Sequence, residues 1–164
     1  MKQTRRGVFE TNSSSTHSLS IQRSGNLTPS NLIVDYDNKV HVSFGEFGWE
    51  IESYSSQMEK LSYLCTMVVE TEARQIESEE EFYKLDGFVA INLAISEYCN
   101  CDGIVVEDAS FKVEDWGLDH SGYIDYQSCE DYSSLSEYLN DYSTDVINYV
   151  FNSGIVLHTN NDNH

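Results

Sequence analysis

Side chains that can bind a ligand or catalyse a reaction are concentrated near the N-terminus of this 164-residue chain. A run of hydroxyl and amide side chains ends at an imidazole, and the only pair of adjacent arginines precedes it. Hydroxyls, backbone N–H groups and arginines are the donors that hold an anion, and a histidine beside them can act as a general base. A distant aspartate can close such a site. The predicted ligand-binding residues are Arg5, Arg6, Asn12, Ser13, Ser14, Ser15, His17 and Asp125.

The same segment has two further interpretations. A serine next to a histidine is also the pairing of a nucleophile with its base, although no glycine pattern of a nucleophile elbow accompanies it. Alternatively, the hydroxyls satisfy the backbone of a polar hairpin loop through Asx and Ser/Thr turns. The residues alone leave ligand binding, nucleophilic catalysis and a structural loop open.

Charge is the second feature of the sequence. Nine Lys and Arg residues oppose 28 Asp and Glu residues, which gives a formal net charge of −19. Four of the nine basic residues lie at or before Arg23, and no Lys or Arg follows Lys112. A surface of this sign repels phosphate backbones and anionic lipids, so it excludes direct nucleic-acid binding and attachment to an anionic membrane.

Carboxylates and aromatic side chains alternate through the last third of the chain, where Tyr138, Tyr142 and Tyr149 are examples of the aromatic residues. Carboxylates accelerate association with a basic protein, and aromatic side chains anchor interfaces. This pattern predicts binding to a protein with a basic groove, although a high net charge can also serve solubility alone. The predicted partner-binding residues are Asp115, Trp116, Asp119, Asp125, Glu130, Asp131, Glu137, Asp141 and Asp145.

The positions of these residues depend on helices in the middle of the chain. Capping boxes at Ser56, Ser78 and Ser134 predict three helix starts. The stretch after Ser78 is the most apolar, so it is predicted to form the central helix, with a break at Gly87. The segment 145–151 fits either a helix or a strand.

Short alternating or apolar runs predict strands, including a hairpin that turns at Asp37-Asn38. The other predicted strands are 5–9, 17–22, 104–106, 111–113, 123–126 and 155–158. Together the elements predict one α+β domain over residues 1–164. It contains a mixed or antiparallel sheet, an N-terminal hairpin region and two or three helices.

Cysteine content and hydropathy limit the cellular locations and the cofactors that we expect for this protein. No apolar run is long enough for a membrane span and no secretory leader is evident, so we expect a cytoplasmic protein. Four cysteines in a chain of this length are expected to be thiols. Because only Cys99 and Cys101 form a close pair, no metal site or other cofactor is predicted.

The string from Phe9 to Ser18, directly after Arg6-Gly7, resembles the N-terminal signature of small proteins encoded by bacterial phages and prophages. The resemblance extends more weakly to 123–128, where Tyr126 replaces the histidine of such relatives, and to 160–163. It implies a mobile-element origin and a place in the bacterial cytoplasm. Together with the acidic surface, it predicts a host protein as the partner, such as a nucleic-acid-handling defence enzyme that the chain inhibits. The resemblance does not indicate a particular activity.

A second resemblance involves the run from Asp102 to Val106. It is similar to a strand of ADP-ribosyltransferase-like domains, which also carry an arginine and a serine-rich strand near the N-terminus. The similarity implies an enzymatic or phosphate-handling alternative at the N-terminal loop. No Glu-x-Glu element on a suitable late strand accompanies it.

Overall fold

Helices and strands both occur along the chain, which confirms the α+β class. The computed structural model describes residues 15–22, 24–48, 51–73, 76, 78–107, 112–114, 117–119, 123–124 and 132–161. Some of these residues are described by their backbone alone, namely 15, 16, 112–114, 117–119, 123, 160 and 161. The helices in these ranges are α1 (Gln57–Glu72), α2 (Glu79–Phe82), α3 (Asp86–Cys99), α4 (Leu135–Asp141) and α5 (Val146–Phe151). The strands are β1 (Ser15–Ile21), β2 (Val40–Val42), β3 (Glu46–Phe47), β4 (Glu52–Tyr54), β5 (Ile104–Val106), β6 (Lys112–Glu114), β7 (Gly117–Asp119), β8 (Tyr123–Ile124) and β9 (Ile155–Asn161).

The strands form several small sheets. The largest is antiparallel in the order β1-β9-β4, and it pairs the beginning of the described chain with its end. The pairs β2–β5 and β3–β8 are parallel, and β6–β7 is antiparallel. The first strand of the predicted N-terminal hairpin, 5–9, lies outside the described residues.

The predicted turn at Asp37-Asn38 is present, but the hairpin ends after one bridge. Asn38 has a φ of 57°, and the Asp35 N–H donates to the Lys39 carbonyl at 2.9 Å. Val34 and Val40 then form a single antiparallel bridge. Beyond it, β2 runs parallel to β5, because a buried apolar strand at 104–106 offers a longer pairing partner.

The central helix is α1, so the prediction that the most apolar helix is central is wrong. The Ser56 capping box begins α1 as predicted, and α1 packs against α3, α4 and α5. Buried residues occupy almost every position of α1 from Leu61 to Val69. In α3, by contrast, Val89 and Leu93 are 48% and 58% exposed. The apolar content of the two helices did not predict which is more deeply buried, because α1 also buries polar side chains that have hydrogen-bond partners.

The helix break predicted at Gly87 lies earlier in the chain, between α2 and α3. Ser78 caps the single turn of α2, the chain leaves the helix after Phe82, and Gly87 lies in the first turn of α3. A Cβ on Gly87 would lie 2.5 Å from Glu72 Oε1 and 2.8 Å from Val68 Cγ2. Glycine is therefore required here by the close approach of α3 to α1.

The Glu72 carboxylate caps two helices at once. Its Oε2 accepts the Gly87 N–H of α3 and its Oε1 accepts the Leu135 N–H of α4, both at 2.9 Å. At α3 this contact replaces a local cap, because the N-cap residue Leu85 makes no side-chain hydrogen bond. A carboxylate is unfavourable at the C-terminal end of its own helix, but it is favourable at the N-terminal ends of two others.

The C-terminal predictions agree with the structure. Ser134 accepts the Glu137 N–H and begins α4, and Asp145 caps α5, so that 145–151 is resolved as helix.

Cys65, Cys99 and Cys101 are free thiols, and Cys129 lies outside the described residues. The buried apolar residues form one cluster, whereas the single-domain prediction covers the whole chain and stays a prediction. No helix in the described ranges has both the length and the apolar character that a membrane crossing needs.

We expect Glu72→Gln to destabilise the protein by about 1–3 kcal/mol, because the new amide NH₂ faces an N–H donor and leaves one helix start without its acceptor. Urea unfolding followed by far-UV circular dichroism measures the change. Glu97→Gln is the matched control, since Glu97 is an exposed acid of α3 and should change stability by less than about 0.5 kcal/mol. Equal urea midpoints for Glu72→Gln and wild type would contradict the double-cap interpretation.

Candidate functional site

Most of the predicted ligand-binding residues lie outside the described part of the chain. These are Arg5, Arg6, Asn12, Ser13, Ser14 and Asp125. Ser15 begins β1 and is described by its backbone alone. Of this group, His17 is the residue whose side chain can be placed.

His17 lies on the core-facing side of β1. Its register partner is Thr159 of β9, which is buried, and its Nδ1 lies 2.9 Å from the hydroxyl of Tyr63 in the middle of α1. Ser18 and Ser20 point to the opposite side of the sheet, because successive side chains of a strand alternate. His17 therefore joins β1 to the central helix, and the structure does not bring it together with the serines that follow it.

A different histidine is bonded to serine hydroxyls on the outer face of this sheet. His158 of β9 lies between Ser20 of β1 and Ser53 of β4, with its Nε2 2.9 Å from the Ser20 Oγ and its Nδ1 2.8 Å from the Ser53 Oγ. A neutral imidazole has one N–H, so one hydroxyl accepts that hydrogen while the other donates to the ring. The donating serine then has the contact that a general base makes with a nucleophile.

Sequence reasoning missed this group because its members are far apart in the chain. His158 is 138 residues from Ser20 and 105 from Ser53. The alternating pattern of 155–158 placed His158 on a strand face, but the strand order was needed to find its neighbours. The group lies on the sheet whose first strand, β1, begins at Ser15, directly after residues that lie outside the described part of the chain.

His41 belongs to a second group that the sequence did not reveal. Its Nε2 lies 2.5 Å from an oxygen of Asp35, and its Nδ1 lies 2.6 Å from an oxygen of Glu107. Hydrogen bonds that the His41 ring donates to these two carboxylates, above all to Asp35, raise the pKa of His41. The pKa of Asp35 is lowered, mainly by the hydrogen bond from the Lys39 N–H. Since both ring nitrogens are occupied, His41 clamps the 35–39 turn to the end of β5.

The structure describes three of the predicted partner-binding side chains. Asp115, Trp116, Asp125, Glu130 and Asp131 lie outside the described residues, and Asp119 is placed in β7 by its backbone only. Glu137, Asp141 and Asp145 are exposed.

All three of these carboxylates accept local hydrogen bonds. Glu137 accepts the Ser133 N–H at 2.9 Å and its hydroxyl at 2.8 Å, and both bonds lower the pKa of Glu137. Asp141 accepts the Tyr132 hydroxyl at 2.9 Å, and Asp145 accepts the Asn148 N–H at 2.8 Å. The carboxylates are therefore exposed to a partner and held in defined positions.

Tyr138 and Tyr149 are not available as anchors, and for these two residues the sequence interpretation is wrong. Tyr138 and Tyr149 are 2% and 0% exposed, and their hydroxyls lie 3.2 Å apart. Tyr142 is half-buried, with its hydroxyl 3.5 Å from the His17 carbonyl. Tyr138 follows Leu135 at helical spacing on the buried side of α4, so these rings attach α4 and α5 to the core.

Few cations offset the exposed acids within the described ranges. Lys60 is 1% exposed, and Lys84 is bonded to Glu80 at 2.6 Å. Lys39 is half-buried. Carboxylates therefore dominate the charge of the described surface.

The Asp102-Gly103 pair has a structural role at the start of β5. Gly103 has a φ of +128°, a conformation strained for other residues, and a Cβ there would lie 2.8 Å from Asn92 Oδ1. The geometry of the turn is thus sufficient to explain the Asp-Gly pair on which the similarity to ADP-ribosyltransferase-like domains is based.

Among the described side chains, no three His, Cys, Asp or Glu residues are grouped so that they could hold a metal ion.

The His41 clamp predicts a pH-dependent contribution to stability. A folded-state pKa above the unfolded value means that the contribution is complete below about pH 6.5 and is lost as the pH rises through the folded pKa. We expect the difference in free energy of unfolding between wild type and His41→Gln to be largest in mild acid and to shrink at alkaline pH. Urea titrations of both proteins at several pH values measure it. Glu107→Gln removes one of the two carboxylates, so its loss of stability should vary with pH less than that of His41→Gln. A difference between wild type and His41→Gln that does not change with pH would contradict the clamp.

Comparison with models of known protein families, with curated proteins and with solved structures finds no match for this chain. The phage-type signature and the similarity to ADP-ribosyltransferase-like domains therefore stay predictions. The function has to be argued from the residues and their arrangement.

Proposed function

We propose that this chain is an acidic accessory protein of a phage or other mobile element that binds a host protein through carboxylates complementary to a basic groove. A nucleic-acid-handling defence enzyme is the class of partner that fits best, because its substrate groove is basic. One observation carries the proposal: the described surface exposes hydrogen-bonded carboxylates, whereas its lysines are buried, half-buried or ion-paired.

The geometry of α4 supports this role. Glu137 and Asp141 are four residues apart and therefore lie on one face of the helix, and Asp145 follows at the start of α5. Each accepts a hydrogen bond from a neighbouring residue, so less side-chain entropy is lost when a partner binds. Exposed charges of this kind act mainly on the rate of association, and their effect is screened beyond a Debye length of about 10 Å in 0.1 M salt.

We expect the triple variant Glu137→Gln/Asp141→Asn/Asp145→Asn to associate roughly three- to tenfold more slowly with the partner, because rim charges govern the association rate. Each substitution keeps an oxygen acceptor for its local hydrogen bond, so the fold should be retained. The partner is captured from bacterial host cells and identified by mass spectrometry. Surface plasmon resonance then compares wild type and variant at low and high salt.

The control for this experiment is Glu46→Gln/Glu79→Gln/Glu81→Gln, which removes the same formal charge from exposed acids outside α4 and α5. It should slow association less than the α4 triple variant does. Association of the α4 triple variant at the wild-type rate would contradict the assignment to this surface. A captured partner without a basic groove would contradict the proposal itself.

A second candidate function is favoured by the bonds of His158 to Ser20 and Ser53. The strand β1 of this sheet begins at Ser15, and the serine-rich segment precedes it in the sequence, so hydroxyls, an imidazole and the N-terminal arginines are candidates for one phosphate-handling site on its outer face. This is the ligand-binding or enzymatic alternative, with His158 in the place predicted for His17.

We expect inorganic phosphate or ADP-ribose to shift the imidazole proton resonances of His158 if this second function is real. His41, which is enclosed by two carboxylates, should not move and serves as the internal control. His158→Gln assigns the signal. Titration of both ligands without any change at His158 would rule out the phosphate site.

A further inference from the structure

The solvent-facing side of α3 carries exposed apolar side chains. Val89 and Leu93 are 48% and 58% exposed and lie four residues apart, and Ala90 beside them is also exposed. Asp86 and Glu97 lie on the same face at helical spacing, and they are exposed too. We call the five residues Asp86, Val89, Ala90, Leu93 and Glu97 the outer face of α3.

Packing within the described chain accounts for the opposite side of this helix only. Phe88, Ile91 and Ile95 are the buried side, at 2%, 0% and 0% exposure. A helix at the surface of a globular protein normally carries polar and charged residues on its solvent side. Two large apolar residues at consecutive turns of that side are better suited to contact with another molecule.

The outer face of α3 and the acids of α4 both begin close to the Glu72 carboxylate. The first turns of α3 and α4 both donate an N–H to the Glu72 carboxylate. Asp86 immediately precedes one of these donors, Gly87, and Glu137 follows the other, Leu135, by two residues. The apolar row and the α4 carboxylates therefore begin in the same part of the molecule.

Charge decides which occupant suits this face. The α3 sequence contains no lysine or arginine, and its outer face combines two carboxylates with apolar side chains. A second copy would bring its own formal charge of −19 against the first, and a nucleic acid would be repelled in the same way. An amphipathic helix with Lys or Arg beside an apolar stripe complements both features.

We propose that the outer face of α3 docks a cationic amphipathic helix of the partner protein. Val89 and Leu93 contact the apolar stripe of that helix, and Asp86 and Glu97 pair with its basic residues. The inference rests on the proposed protein-binding function and specifies the docking element and the chemistry of the partner segment.

The test uses the full-length protein and a fluorescein-labelled synthetic helix built from leucine and lysine, with binding followed by fluorescence anisotropy. We expect Val89→Gln/Leu93→Gln to weaken binding about tenfold, because the apolar contacts at the centre of an interface dominate its affinity. Glutamine is a good helix former and both positions are exposed, so α3 should persist. Leu27→Gln/Ile51→Gln is the matched control, since these residues are 49% and 72% exposed outside α3, and it should bind like wild type.

Three results would overturn the inference. The α3 variant binds the peptide as tightly as wild type; polylysine binds as well as the amphipathic helix; or sedimentation shows that wild type self-associates through Val89 and Leu93. If the α3 variant binds normally while Glu137→Gln/Asp141→Asn/Asp145→Asn still slows association with the captured partner, the docking face is wrong and the proposed function stands. If the captured partner has no basic surface, the proposed function fails whatever the peptide does.

Discussion

A helix that is buried on nearly all sides must find a partner for every polar side chain it carries, and α1 is such a helix. Unpaired polar groups in an interior cost several kcal/mol, so these side chains determine which segments surround them. Gln57 bonds to the backbone of the 28–31 loop, and Lys60 donates to two carbonyls near the start of β9. Tyr63 meets β1 at His17, Thr66 accepts the Gly45 N–H, and Glu72 caps α3 and α4.

Lys60 shows how strict this constraint is. Its Nζ lies 3.1 Å from the Asn152 carbonyl and 3.2 Å from the Ile155 carbonyl, and both of these acceptors are neutral. Burial lowers the pKa of Lys60 to about 8. The side chain thus connects α1 to the turn between α5 and β9 by hydrogen bonds. A lysine in this position specifies one arrangement of these elements, because another packing would leave it buried without acceptors.

The carboxylates of this protein divide into two groups with different physical roles. Glu72, Asp35 and Glu107 accept hydrogen bonds from helix N–H groups or from His41, and they join elements of the fold. Glu137 and Asp141 are bonded within their own segment and stay exposed, so they add to the negative surface. The two groups are linked, because Glu72 sets the starts of α3 and α4, the helices that display the exposed acids and apolar residues. The binding function proposed here therefore depends on a contact within the fold.

Local chemistry in the sequence determined the net charge, the helix starts at Ser56 and Ser134, the turn at Asn38 and the strand at 104–106. The net charge follows from composition alone, and the helix starts and the turn depend on residues a few positions apart, whose side chains satisfy the backbone beside them. Only the tertiary structure decided that α1 is central, that β1 pairs with β9, and that Tyr138 is buried while Leu93 is exposed. It also decided that His158 meets two serine hydroxyls and that His17 meets Tyr63. These outcomes depend on hydrogen bonds and packing between residues more than a hundred positions apart or on different helices. Short-range spacing carries no information about which of several similar faces such contacts will bury.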